Sequence, residues 1–294
     1  HNLDVLVGWD VDDRRVEYVM ASQTGYPHNK LPESINAATP MEGIAYYEQD
    51  HLLSLLSRVN YDFDNKYYVS ANFRRDGSSR LGTNNRWANF WSVSAAWRMT
   101  QEEFMHDLTW LNDLKIRASY GINGTLPNSY YSHLSLYGYG YNYQDKPGSA
   151  PTSVPNPDLS WEKNKNLNIG FDARLFDRLN VTFDYFQRKS KNMVGPAPEL
   201  PNLLGIAVPK VNNLDMTSKG WEIQVNWRDQ IRDFKYGVTL SLSDNQVVID
   251  KYPNPSNTIL DKDNNNTYYA GAHVGDIWGF QTIGIAKTDQ EMKD

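Results

Sequence analysis

Three groups of residues in the 294-residue chain have types and spacing that could do chemistry. The densest is Arg74-Arg75-Asp76-Gly77-Ser78-Ser79-Arg80. Its three guanidinium groups and adjoining hydroxyls could hold an anion, because arginine forks grip carboxylate or phosphate through two parallel hydrogen bonds. The same residues also read as turn chemistry, with Asp76 paired to an arginine and Gly77-Ser78 turning the chain, and Asp-Gly-Ser clusters favour that second reading. The next group, Asp261-Lys262-Asp263-Asn264-Asn265-Asn266, places oxygen ligands at alternate positions as a calcium loop begins. It lacks the glycine at the sixth position and has Ala272 where the bidentate glutamate would stand, so a solvated loop is expected. The last group is aromatic: Tyr130, Tyr131, Tyr137, Tyr139, Tyr141 and Tyr143. Rings with a hydroxyl tip offer stacking faces and hydrogen bonds suited to sugar or peptide capture. Their period-2 spacing over 137–143 equally extends a strand whose rings pack on neighbouring loops.

Little else points to catalysis. Six histidines, at positions 1, 28, 51, 106, 133 and 273, show no metal-ligand spacing such as HExxH. A Ser-His-Asp triad can be assembled only by arbitrary choice, and cysteine is absent, which removes disulfides, thiolate metal sites and thiol nucleophiles. No catalytic residue, metal or cofactor is therefore expected. With 29 basic against 35 acidic side chains, the net charge of −6 argues against a nucleic-acid partner. The chain is polar, at a mean hydropathy of −0.65, yet 13% aromatic. Rings must therefore sit at surfaces and interfaces as well as inside. No apolar run of about 18 residues exists to make a membrane helix, and His1-Asn2-Leu3-Asp4 lacks the pattern of a signal peptide.

The other membrane-spanning structure is a closed β-barrel, whose strands of about 9–11 residues alternate lipid-facing with lumen-facing side chains. That alternation recurs about ten times here. Leu3, Val5, Val7 and Trp9 oppose Asp4, Gly8 and Asp10, and Val59, Tyr61 and Phe63 oppose Arg58, Asn60 and Asp62. Equivalent stretches begin at Tyr67, Trp91, Leu114, Leu167, Leu179, Trp221 and Phe234, and a weaker one covers Trp278 to Ala286. Alternation alone fits a sandwich core as well as lipid; the absence of charge from the apolar parity favours lipid. Rings near strand ends, such as Trp91 and Trp97 or Trp221 and Trp227, fall where interfacial girdles lie.

Connections strengthen the barrel reading. Tight turns are expected at Asp64-Asn65, at Asp177-Arg178 and within Asp229 to Asp233. Long connections are expected over 11–51, 77–89, 123–160, 190–218 and 251–277, with a moderate one at 101–112 where Gln101 to Met105 could form a helical turn. Short connections at one end and long ones at the other describe an outer-membrane barrel better than a sandwich.

Several segments carry a specific resemblance. Arg58 to Phe63 through Arg74 to Gly82, Phe90 to Arg98, Leu114 to Gly124, Asn156 to Lys163 with Asn168-Ile169-Gly170, and Ser218 to Glu222 occur in the order seen in the SusC-like (SusC/RagA) branch of TonB-dependent outer-membrane transporters of Bacteroidetes. Gly279-Phe280 with Glu291 is similar to the region beyond. Leu81, Trp91 and Thr125 depart from the residues usual there.

The resemblance implies an all-β fold: about ten strands of a roughly 22-strand antiparallel barrel, with tight periplasmic turns and long extracellular loops. Neither the N-terminal plug domain nor the TonB box of that family is recognised over residues 1–294, and Lys293-Asp294 is no terminal aromatic strand, so an internal piece of barrel is expected. It further implies active import of a nutrient, a glycan or a peptide, across the Gram-negative outer membrane, with outer-membrane lipid around the barrel. A SusD-like surface lipoprotein would act as lid, TonB would supply energy through the missing N-terminal part, and such pairs would form a dimer. Asn72, Arg74, Lys115, Arg117, Asp172, Asp184, Gln224 and Asn226 would line the hydrated lumen. The rival readings are a passive porin-like barrel and a soluble carbohydrate-binding β-protein.

Overall fold

A computed structural model describes residues 1–25, 30, 39–195, 205–254, 268–277 and 284. Its strands are β1 (Asn2–Thr24), β2 (Thr39–Phe63), β3 (Tyr67–Ser78), β4 (Trp87–Arg98), β5 (Leu111–Thr125), β6 (Tyr137–Tyr139), β7 (Ser149–Pro151), β8 (Glu162–Leu175), β9 (Leu179–Gly195), β10 (Val211–Ile231) and β11 (Phe234–Lys251). Nine of them form one antiparallel sheet in the order β1-β2-β3-β4-β5-β8-β9-β10-β11, while β6 and β7 make a separate hairpin. Every strand of the main sheet pairs with its chain neighbour once that hairpin is set aside, so the sheet is a meander. Among the described residues no helix is long and apolar enough to cross a membrane. The helical turn expected near Gln101 is two single 3₁₀ turns, Met99–Gln101 and Glu103–Met105.

The register explains why the alternation matters. Val5 stands opposite Val59, Val59 opposite Ala71, and Ala71 opposite Val93. The row continues one step along: Ala95 faces Ala118, which faces Ile169, and Ile169 faces Tyr185. Trp221 meets Tyr185, and Ile223 meets Leu242. One apolar parity therefore runs unbroken across nine strands, and it faces outward: Val7, Val59, Val93, Ile169 and Leu240 are all exposed. A soluble sheet would cover such a face, because large continuous apolar patches mark interfaces or membrane. The band is nine to eleven residues tall, from Leu167 to Leu175 on β8 and from Leu53 to Phe63 on β2, matching the height of a hydrocarbon core. Rings edge it toward the tight turns, where Tyr67 stacks on Trp97 at 6.4 Å, and toward the far side, where Trp91 meets Tyr120 at 5.6 Å.

The tight turns have the backbone that hairpins need. Asp64 and Asn65 both have positive φ, at 54° and 51°, the type I′ geometry whose twist matches that of the flanking strands. Between β8 and β9 the positive-φ pair is Phe176 and Asp177, one residue earlier than expected. The cause is the register: Leu175 pairs with Leu179, and Arg178 N–H donates to the Leu175 carbonyl, so the two residues between must turn.

The strands are longer than the alternation suggests. The connection expected over 11–51 is mostly ladder, because β1 runs to Thr24 and β2 starts at Thr39; likewise β9 runs to Gly195 and β10 starts at Val211. Beyond Val11 the apolar parity turns polar, which reads as loop, yet cross-strand pairs take over the role of apolar burial. Asp13 contacts His51 at 3.2 Å and accepts from Gln49 at 3.0 Å, Arg15 sits 4.4 Å over the Tyr47 ring, and Tyr18 stacks on Tyr46. The tenth strand expected at Trp278 to Ala286, the calcium-like segment from Asp261 to Asn266, and Gly279-Phe280 with Glu291 lie outside the described residues.

Candidate functional site

The face opposite the apolar band carries the polar parity, and the eight lumen residues expected from the sequence all lie on it. Arg117 is its organising group. Its Nε lies 2.8 Å from Asp172 Oδ2, and its Nη2 lies 3.1 Å from Asp184 Oδ2. Asp172 also draws Lys115 to 3.7 Å and accepts from the Thr182 hydroxyl at 3.3 Å. In register, Arg117 faces Gly170, and Gly170 faces Asp184. A side chain at 170 would collide with the Asp184 carboxylate. The glycine opens the gap through which the guanidinium crosses β8.

Toward the long connections the polar face closes over a small apolar core. Leu81, Phe90, Leu159 and Trp161 are buried together, with Phe90 and Trp161 edge to face at 5.2 Å. Two segments that carried the family resemblance build it from opposite sides. Gly82 N–H donates to the Leu159 carbonyl at 3.0 Å, Asn84 Nδ2 to Asp158 Oδ1 at 2.7 Å, and Trp161 Nε1 to the Arg86 carbonyl at 3.0 Å. Backbones approach so closely here that a Cβ on Gly82 would overlap the Pro157 carbonyl, and one on Gly124 would strike the Phe90 ring. Asn156 and Asn212 carry the clasp on to β10, through Asn156 Nδ2 to the Lys210 carbonyl and Asn212 Nδ2 to the Ser160 carbonyl.

The three arginines of the dense motif do not converge on a common anion site. Arg74 donates to Asp76 at 2.6 Å and to the Ser54 hydroxyl at 2.8 Å. Arg75, on the outward face, lies 5.5 Å over the Trp87 ring. Arg80 donates to Asp50 at 2.9 Å in a nearly buried pair, with its guanidinium 4.1 Å above the Tyr130 ring. The hydrogen bond that Arg80 donates to Asp50 holds its guanidinium firmly protonated. Their role is to fix the strand ends and the loops above them. Gly77-Ser78 does not turn the chain; it ends β3 in ladder with Leu53 and Leu52.

The six tyrosines separate into two sets. Tyr131 accepts a hydrogen bond from the Gln49 backbone N–H at 2.9 Å, and Tyr130 lies under Arg80, so this pair pins the connection to β2. Tyr137, Tyr139, Tyr141 and Tyr143 belong to the β6–β7 hairpin and its tip, where Tyr137 pairs with Pro151, Tyr139 with Ser149, and Tyr143 bridges to Lys146. All four are exposed, Tyr139 at 86%. His133 is buried, and burial and the nearby Arg86 hold its pKa below the ordinary value. Among the described residues no group of His, Cys, Asp and Glu could hold a metal. Reasoning from sequence missed Asp50, Gly82, Trp161 and Gly170, whose roles depend on partners 30 or more residues away or on the strand register.

Comparison with known proteins now fits this geometry. Residues 3–284 match the family model described as "TonB dependent receptor-like, beta-barrel". The chain belongs to that family. Among its relatives, TonB-dependent receptor P3 of Formosa agariphila is 30% identical over 97% of this chain and 30% of its own length. TonB-dependent receptor SusC of Bacteroides thetaiotaomicron is 28% identical over 83% of this chain and 23% of its own. The solved structure of the RagAB peptide importer in its closed-closed state superposes with a TM-score of 0.76 at 28% identity, covering 86% of this chain and 29% of that one. The SusC-like resemblance read from the motifs is thus borne out. The apolar band is the lipid-facing surface of an outer-membrane β-barrel, the tight turns are periplasmic and the long connections extracellular. The chain spans 23–30% of the length of the relatives it matches.

Proposed function

We propose that this chain is a sector of the barrel of a SusC-like importer that brings an oligomeric nutrient, a glycan or a peptide, across the outer membrane. The observation that carries the reading is the register-locked sheet: one lipid-matched face, one hydrated face bridged by Arg117, Asp172 and Asp184, and an extracellular layer clasped above it. The family is one of receptors and transporters, and the structurally similar RagAB is a peptide importer. In this role the sector makes no covalent bond. Strands outside the chain close the barrel, a plug fills it, TonB drives it, and a SusD-like lipoprotein closes over the extracellular loops in a dimer of such pairs. The exposed rings of Tyr137, Tyr139, Tyr141 and Tyr143 are the surface offered to lid and cargo, since each supplies a stacking face and a hydroxyl.

The test uses the full-length gene in its own host. Deleting it is expected to abolish growth on one class of oligosaccharide or peptide as sole nutrient, and deleting tonB to abolish the same growth. Replacing the four hairpin tyrosines with serine is expected to weaken uptake while leaving barrel assembly intact. Growth that survives loss of TonB but not of the gene would instead make it a passive barrel.

A further inference from the structure

The lipid-facing parity of β8 and β9 does not simply turn polar above the apolar band; past Gln187 it turns basic. Above Leu167 and its partner Gln187 on that face stand Lys165 and Lys163 of β8 and Lys189 and Lys191 of β9. They are paired like with like, Lys165 opposite Lys189 and Lys163 opposite Lys191. Directly opposed side chains in a sheet are only about 5 Å apart at Cβ, and like charges there are destabilising. Lys219 of β10 extends the patch beside Gln187. Lys163, Lys165, Lys189 and Lys219 are exposed and make no ion pair with any described residue, whereas Lys191 is engaged by Asp215 at 3.0 Å and approached by Asp250 at 3.9 Å. On the other side the same face offers only Ile122 and Gly124 of β5, opposite Lys165 and Lys163. Asp244, opposite Trp221, is diagonal to Lys219 and remote from the two lysine pairs.

We infer that Lys163, Lys165, Lys189 and Lys219 bind a phosphorylated lipid headgroup of the outer leaflet. Position selects this occupant. The lysines stand one step above the apolar band, past the interfacial rings Tyr185 and Trp221, so a lipid whose chains lie along Leu167 and Ile169 carries its headgroup to their height. A bridging phosphate relieves the repulsion between Lys165 and Lys189 and satisfies ammonium groups that the protein leaves unmatched. Arg75, on the same outward face of β3, is already spent on Trp87, which confines the site to β8, β9 and β10.

The full-length receptor, purified in detergent, tests this with dioleoyl phosphatidic acid and dioleoyl phosphatidylcholine as probes, bound lipids being counted by native mass spectrometry. Wild type is expected to retain phosphatidic acid in preference. K165Q/K189Q is expected to lose that preference roughly twenty-five-fold, a factor of about five for each lysine beside an anionic surface. An unchanged preference in the double variant overturns the site. Displacement of phosphatidic acid by an equal concentration of inorganic phosphate overturns the lipid as occupant. Because glutamine removes a like-charge pair, the variant is expected to fold, as heat-modifiable electrophoresis will show; if it does not, K189Q alone is read in the same assay for a loss of about fivefold.

Discussion

Arg117 of β5 and Asp184 of β9 form an ion pair at 3.1 Å across an intervening strand, with Gly170 of β8 between them. Ordinary cross-strand pairs join adjacent strands; this one ties three, and it does so on the lumen wall where water screens each charge only in part.

Gly170→Val tests the opening. A β-branched side chain suits a strand, so propensity alone would favour the change. The structure opposes it, because any Cβ meets the Asp184 carboxylate and the Phe183 carbonyl. A net loss of about 1–3 kcal/mol is expected from the overlap, read as a lower unfolding temperature of the full-length receptor in detergent. Asp184→Asn is expected to cost less, because Arg117 keeps Asp172.

The extracellular clasp should fail as a unit. Trp161→Ala removes a buried ring from Leu81, Phe90 and Leu159 and an N–H from the Arg86 carbonyl. A cost of about 3–5 kcal/mol is typical of such a deletion, and it falls on loops rather than on the ladder. The expected outcome is proteolytic nicking within 126–161 on intact cells, with normal barrel assembly.

Much of this fold was legible because a membrane barrel writes its two environments into alternate residues. The parity of Leu3 to Trp9 or Trp221 to Trp227 needs no partner to be recognised. The extensions of β1 and β2 beyond the bilayer were not legible, since Asp12-Asp13-Arg14-Arg15 breaks the pattern and the strand persists through pairing with a segment about 40 residues away. The site divides in the same way. The pairing of Asp76 with an arginine was visible, but Asp50 as the partner of Arg80, and Gly170 as a passage for Arg117, exist only once register is known.

Acid should loosen the extracellular layer before the barrel. His133 is held neutral by burial, so its pKa lies below about 6.5 in the folded protein and near that value once the loop is released. The unfolded loop binds the extra proton, and the histidine's contribution is therefore complete above about 6.5 and is lost as pH falls through the depressed value. Periplasmic Glu102 behaves likewise at lower pH: hydrogen bonds from Tyr67 and Trp97 depress its carboxyl below the ordinary range, and its contribution disappears as pH falls through that lowered value. Hydrogen exchange followed from pH 7 downward is expected to show residues 126–161 opening first and the 99–110 turn later. His133→Asn should abolish the first step; simultaneous opening of both would contradict the assignment.

The lipid-facing assignment predicts an asymmetry between neighbours in sequence. Ile169 and Asn168 are adjacent on β8, yet Ile169 sits within the apolar band on the outward face while Asn168 faces the lumen opposite Ser119 and Phe186. A lysine on the lipid face of a barrel costs about 2–4 kcal/mol at the bilayer midplane and less toward the interface, whereas one on the lumen side keeps its water. Ile169→Lys is therefore expected to reduce the heat-modifiable, folded fraction of the receptor in outer membranes, and Asn168→Lys to leave it near wild type. A soluble sheet would give a different result. There the outward face is already wet, so Ile169→Lys would be harmless, and the polar face would be the one that tolerates no new charge.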